Sequence, residues 1–297
     1  MRITMLGTGA AFADPDRAQS GILVTLDSGK HYLFDCGAGI TRNMVRANVS
    51  PSEVTAVFLT HLHHDHVCDF PLFVITGWMW DREDSPVVIG PPGTDHFVKH
   101  LFEGGAFKAD FESRSHYARR RTNLAAVRPK VVECAPGIAW QDDEVTIRCD
   151  FVEHIPREIS QCFGIRFEAE GKVVAFSGDT APCDAMVRLG QNADLLIHEC
   201  TFPESFLEHR RRSGVGIYSH TSPTQLGTIA ARANAKRLVA THFGHFDCTN
   251  ALIKRIAQHH LPVEQMGPHL MDEVMRDIRR GYDGPIQIAT DLLRIDV

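Results

Sequence analysis

A run of six residues, His61-Leu62-His63-His64-Asp65-His66, limits what this chain can be more than any other feature. It follows directly on the apolar run Val54 to Leu59, and all of its side chains except Leu62 can bind a metal or move a proton. An apolar strand that ends in such a turn puts the donors on a loop held by a rigid sheet, which is how α/β folds build sites. On extended chain His61 and His63 point to the same side and can bind one ion together. Asp65 and His66 lie where the chain must turn, and can face a second ion. Other donors follow apolar strands in the same way: His154 after TIRCDFVE, Asp179 after KVVAFSG, Glu199 closing DLLIHE and His242 after RLVAT. His154 can complete the first set as a third nitrogen, His242 can complete the second, and Asp179 can bridge both. Imidazole and carboxylate without thiolate suit zinc, with manganese or iron as alternatives. The expectation is two zinc ions per chain, because these donors exceed what one tetrahedral zinc can use.

The rest of the chain alternates strands and helices. Arg2 to Leu6, Gly21 to Leu26, HYLFDCGAG, VTAVFLT, SPVVIGPPGT, EVTIRCDFVEH, ADLLIHECTF and KRLVATHFG read as strands ending in turns or donors. CFGIRFEAEGKVVAFSGDT reads as a hairpin over Glu170-Gly171-Lys172. ITRNMVRANVSPSEV has helical spacing and a stop at Pro51. SPTQLGTIAARANA reads as a helix with Ser222 as N-cap and Pro223 at its first position, and a late helix lies within PVEQMGPHLMDEVMRDIRRGY. No repeat or linker interrupts the pattern, so the expected class is a layered α/β fold in one domain over residues 1–297. Such a chain, 297 residues and 43% hydrophobic, can bury a large core. Its formal net charge of -6 gives no general reason to expect a nucleic-acid or membrane partner. There is no apolar run of about 18 residues, so no spanning helix is expected. The start, MRITMLGTGAAF, is too short and Gly-rich for a signal peptide, and the scattered cysteines form no CxxC pair; both point to a cytoplasmic protein.

HLHHDH fits the HxHxDH motif of the metallo-β-lactamase superfamily. Within it the chain resembles the ribonuclease Z and arylsulfatase branch, through LGTGAAF, FDCGAG, SGDT, LLIHECTF, YSHTSPTQLGTIAARANAKRLVATHFG and GPIQIATDLLRIDV in that order. The resemblance spans nearly the whole chain except residues 71–150, a family-variable insertion placed to cap the active site. It implies an αββα sandwich, a homodimer, and two zinc ions in a cleft. It assigns His61, His63 and His154 to one ion and Asp65, His66 and His242 to the other, with Asp179 bridging. It also assigns His220 a catalytic role, with Glu199 orienting it. His64, His198 and His245 read as supporting or solvated residues rather than ligands, and Cys68 and Cys248 as packing residues. With two adjacent ions, a bridging water becomes a nucleophile near neutral pH. Asp65 orients it or takes its proton, and His220 hydrogen-bonds the substrate or protonates the leaving oxygen.

Three departures from ribonuclease Z bear on the substrate. The connection between His154 and Asp179, where a tRNA-gripping arm commonly sits, has room only for a hairpin. The loop ADPDRAQSG keeps Pro15 and Arg17 of a PxKxRN-like pattern but lacks its lysine and asparagine. The segment 71–150 holds Trp78, Trp80, Phe107, Phe111 and Tyr117, which either line the cleft from a lid helix or pack in the core or a dimer interface, and Arg119 to Arg121, read as a solvated helix face. The expectation is therefore a hydrolase of a small aromatic or anionic substrate, a phosphodiester or sulfate ester first, with neither tRNA nor a membrane as partner. The enzyme alternatives are tRNA 3′ processing, a lactonase or amidase, and hydrolytic dehalogenation of an activated aromatic ring. The non-enzyme alternative is a metal-binding sensor or scaffold.

Overall fold

The computed structural model describes residues 1–121, 123–214, 219–259 and 261–297. In chain order its strands are β1 Arg2–Gly7, β2 Gly21–Thr25, β3 His31–Phe34, β4 Val54–Phe58, β5 Val87–Gly90, β6 Lys130–Glu133, β7 Gly137–Gln141, β8 Val145–Phe151, β9 Phe163–Ala169, β10 Lys172–Phe176, β11 Leu195–Glu199, β12 Leu238–Thr241, β13 Ile286–Ile288 and β14 Arg294–Asp296. Among the described residues they form two seven-stranded sheets, in the orders β14-β1-β2-β3-β4-β5-β6 and β13-β12-β11-β10-β9-β8-β7. The α/β class read from the sequence is the one observed. The chain divides into two compact units, each holding one sheet. The first comprises Met1–Gly7, Ala18–Ala135 and Asp291–Asp296; the second comprises Thr8–Arg17, Pro136–Thr290 and Val297.

In the first unit β1, β2 and β3 pair antiparallel, and β3 to β6 pair parallel. Parallel neighbours need a crossover, usually a helix. Here the crossovers carry helices Ile40–Arg46, Phe70–Met79 and Thr94–Phe102. Ile40, Met44, Phe70, Phe73 and Val98 from those helices share one core with Leu33, Val57 and Val88 from the strands. Residues 71–150 supply β5, β6, β7 and most of β8.

Of the lid and core readings of that segment's aromatic residues, three residues take the core one. Trp78 is fully buried, donates its Nε1–H to Asn123 Oδ1 at 2.9 Å, and meets Phe111 edge-on with ring centroids 5.7 Å apart. Phe107 packs against the same core. Trp78, Phe107 and Phe111 therefore fill the interior of the first unit rather than lining a cleft. Burial there removes their large apolar area from water, which is worth more than half-exposure at a lid. The arginine run is the exposed helix face read from the sequence, and it is also ion-paired. Arg119 and Arg120 both ion-pair with Asp81, and Arg120 donates to the carbonyls of Trp78 and Met79. Cations at those carbonyls close the C-terminal end of helix Phe70–Met79.

In the second unit β7 to β10 pair antiparallel and β10 to β13 pair parallel. The β9–β10 turn falls on Glu170 and Gly171, both at positive φ, as the sequence reading placed it. Helix Pro223–Arg232 begins with the expected Ser222 cap, reciprocated by Gln225. Helix His269–Ile278 packs against it. A Cβ at Gly227 would lie 2.3 Å from Ile278 O, so only glycine permits this approach. Among the described residues no helix is long and apolar enough to cross a membrane.

Candidate metal centre

Each unit presents donors at the C-terminal ends of neighbouring strands, the edge where open α/β sheets bind ligands. In the first unit the chain leaves β4 and reaches His61, His63, Asp65 and His66 within one turn. Asp35, at the end of the neighbouring β3, organises that turn. Its carboxylate accepts from the Thr60 amide at 2.8 Å and from Thr60 Oγ1, and lies 2.7 Å from His66 Nδ1. Thr60 Oγ1 lies 3.1 Å from His61 Nδ1. The Nδ1 atoms of both histidines are thus occupied, and Nε2 of each is the nitrogen left to ligate. His61 Nε2 stands 3.1 Å from His63 Nδ1, and His66 Nε2 stands 3.6 Å from Asp65 Oδ2. His61, Asp65 and His66 are buried, while His63 and His64 are exposed. Gly37 underlies this loop: a Cβ there would lie 2.0 Å from Asp65 O. Gly37 is therefore a bed for a donor residue.

In the second unit His154 follows β8, Asp179 follows β10, Glu199 ends β11 and His242 follows β12. Asp179 stands between the two imidazoles, 3.6 Å from His154 Nε2 and 3.2 Å from His242 Nε2. A bridge between Glu153 and Ala181 holds His154 beside Asp179. His154 Nδ1 donates to Ser219 O at 2.8 Å. Burial lowers the His154 imidazole pKa, against the pull of Asp179, which favours the neutral ligating form. His242 adopts a left-handed φ of 59°, a strained conformation for a side-chain-bearing residue, of the sort that clusters at functional sites.

Glu199 is the hub of this set. Its buried carboxylate accepts from the Thr180 amide at 3.0 Å and from Thr201 Oγ1 at 2.7 Å, and lies 2.8 Å from His220 Nδ1. Thr201 Oγ1 also stands 3.1 Å from His242 Nδ1. Burial alone would push the His220 pKa down, but the Glu199 carboxylate raises it to about 9. Glu199 is correspondingly held below the usual carboxylate range by His220, against its burial. The Glu199 carboxylate thus orients His220 through Nδ1 and favours its charged form.

The donor chemistry fits a divalent metal ion. His154, Asp179 and His220 offer ligand atoms within 4.8 Å of one another, as do Glu199, His220 and His242. The residues singled out from the sequence thus fall in two groups: His61, His63, Asp65 and His66 in one unit, and His154, Asp179 and His242, with the catalytic candidates His220 and Glu199, in the other. His198 stands apart from them, fully buried behind Glu199 with Nδ1 2.8 Å from Glu199 O. Sequence reading missed Asp35 and Thr201. The signal for Asp35 was available: a carboxylate closing the strand before the histidine-bearing one.

Residues 1–244 match the family described as "Anti-Pycsar protein Apyc1". A ribonuclease Z of Mycobacterium bovis (strain BCG / Pasteur 1173P2) is 31% identical over 304 residues, covering 100% of this chain and 98% of that protein. The chain belongs to the ribonuclease Z branch of the metallo-β-lactamase superfamily. Solved structures agree on the fold. YhfI of Bacillus subtilis, a metallo-β-lactamase fold protein, superposes with a TM-score of 0.71 at 20% identity, covering 99% of this chain and 98% of that one. The short form of human tRNase Z does so with 0.69 at 21%, covering 100% and 99%. As a member of this branch the chain is a metal-dependent hydrolase. Membership also corrects the expectation that tRNA is no partner: a relative similar over the full chain is named ribonuclease Z, and a tRNase Z shares the fold. The exclusion rested on a missing arm, an altered loop and an aromatic lid, and on net charge; Trp78 and Phe111 lie in the core, which removes the lid, and the missing arm and the net charge remain. Neither reports on local basic surface or on binding elements elsewhere in the chain.

Proposed function

We propose that the chain is a zinc-dependent phosphodiesterase of RNA, with precursor tRNA as substrate. The full-length similarity to a ribonuclease Z supports this reading. The observation that carries the chemistry is the Glu199–His220 pair at 2.8 Å, set beside Asp179 and its two imidazoles. His61, His63 and His154 would hold one zinc ion, and Asp65, His66 and His242 the other, with Asp179 shared. Bound zinc supplies Lewis acidity to the attacking water and to the phosphoryl oxygens. Asp65 takes a proton as that water attacks. His220, charged and held by Glu199, hydrogen-bonds the phosphoryl group or protonates the leaving oxygen through Nε2. The resemblance also implies a homodimer, which sedimentation equilibrium measures.

A second reading, a small phosphodiester or sulfate ester as substrate, is favoured by one observation. The connection between His154 and Asp179 forms only the β9–β10 hairpin with its turn at Glu170 and Gly171. The deciding experiment offers zinc-loaded protein precursor tRNA, bis(p-nitrophenyl) phosphate and an aryl sulfate in parallel. Cleavage of precursor tRNA at physiological salt is expected. Turnover of the small esters with intact precursor tRNA would replace the first reading by the second, and no turnover of any of them would sink both.

A further inference from the structure

The second unit holds a cavity of about 250 Å³ whose lining among the described residues includes Phe12, Phe202, Arg210, His245, Ile256 and Leu261. It is smaller than the roughly 300–1,000 Å³ of pockets for drug-sized ligands, so it suits a single ring system. Its walls are planar groups. The Arg210 guanidinium lies over the Phe202 ring at 3.4 Å, and the Phe12 and His245 rings stand 5.3 Å apart. Flat aromatic faces and a stacked guanidinium are how proteins hold unstacked bases.

One polar atom in this apolar lining is unexplained. His245 is buried, its Nδ1 lies 2.9 Å from Asp14 Oδ2, and its Nε2 has no hydrogen-bond partner. Asp14 is itself fixed by the amides of Asp16 and Arg17. Its carboxyl stays below the usual range because those bonds and His245 outweigh its burial. The Asp14 carboxylate orients the His245 ring through Nδ1 and leaves Nε2 as the nitrogen without a partner. A buried polar nitrogen without a partner is costly unless a ligand satisfies it. A ring edge that carries both N–H and acceptor atoms can satisfy that nitrogen, as the Watson–Crick edge of each nucleobase does, while Arg210 supplies donors to ring carbonyls and nitrogens.

The cavity is also tied to the donor set. Phe202 follows Thr201, whose Oγ1 contacts His242, and the Gly244 amide donates to Thr201 O at 2.9 Å. His245 lies three positions after His242. We propose that this cavity binds one nucleobase of the substrate strand, stacked on Phe202 and hydrogen-bonded at His245 Nε2. The proposal rests on the phosphodiesterase reading for its biological use, but base binding can be measured without turnover.

Two measurements on the zinc-loaded full chain separate the two ideas. Equilibrium dialysis with radiolabelled nucleoside monophosphates reads the cavity alone. Saturable binding is expected, weakened at least ten-fold in Phe202→Leu, in His245→Leu and in Ile256→Trp. Ile256 is half exposed, so the last variant fills the mouth without disturbing the core. Hydrolysis of an RNA and of bis(p-nitrophenyl) phosphate reads the reaction. The same variants should raise KM for RNA about ten-fold and leave the base-free ester within two-fold of wild type. An RNA abasic at a single nucleotide beside the cleavage site should mimic them in wild-type protein. Three results overturn the proposal: no saturable nucleotide binding, equal losses on both esters, or a cavity filled by a second copy, seen as Ile256→Trp breaking a dimer while nucleotide affinity holds. Nucleotide binding without hydrolysis of any phosphodiester supports the pocket and fails the phosphodiesterase.

Discussion

His220 and its partner Glu199 carry the most specific expectations. His220→Ala should leave metal content unchanged and slow hydrolysis by roughly 10²- to 10⁴-fold, the range for a lost acid or base. Metal loss in that variant would make His220 a ligand instead. The same residue sets a pH dependence. Its pKa is raised to about 9 in the folded chain from an ordinary 6.5. Its charged form is therefore favoured by folding. The stabilisation is complete below the unfolded value and fades as pH rises through the folded one. Urea unfolding of metal-free protein, followed from about pH 6 to about pH 10, should show that loss in wild type and not in His220→Gln. Asp35 offers a parallel test. Asp35→Asn loosens the orientation of His66, and metal affinity should fall by roughly 10- to 100-fold, the usual result of removing a carboxylate behind a ligating histidine. Isothermal titration with zinc measures it, and unchanged affinity would make Asp35 a fold residue only.

Among the elements, the loop holding Asp65 and the helix holding Trp78 respond differently to substitution. Gly37→Ala would press a methyl group against Asp65 O, where a Cβ lies at 2.0 Å, so the donor loop must shift. The expected outcome is lower zinc occupancy with little change in far-ultraviolet circular dichroism. Trp78→Ala acts on the core. Removing a fully buried ring should cost about 3–5 kcal/mol, read as a fall in the urea midpoint. A loss below about 1 kcal/mol would mean that the ring is not packed as described. Element boundaries were largely legible in the sequence. The Ser222 cap, the turn at Glu170 and Gly171, and the strands before each donor all rest on local rules: capping, φ preference and apolar runs. The short edge strands β13 and β14 were not legible, because three residues carry no periodicity.

For the whole molecule, zinc-loaded protein should approach two equivalents per chain, and His242→Ala should lose one of them first. A firm single equivalent in wild type, unmoved by added zinc, would show that one donor set does not bind. RNA affinity should fall steeply with salt despite the net charge of -6, because phosphate contacts are local and release counterions. A flat salt dependence would remove phosphate contacts from the account of binding.

What the sequence by itself determined is the chemistry and its address. Imidazoles and carboxylates at the ends of apolar strands, at His61 to His66, His154, Asp179 and His242, are local facts, readable without knowing how the strands pack. Tertiary structure alone decided the surroundings of those donors. Asp35 behind His66, Thr201 between Glu199 and His242, and Asp14 behind His245 join residues distant along the chain. It also decided that Trp78 and Phe111 go to the core and that Arg119 and Arg120 clamp Asp81. An aromatic or a cation has the same sequence signature whether it meets solvent, a ligand or an interior. Only the packing of non-local neighbours settles which of these removes the most apolar area and satisfies the most polar atoms.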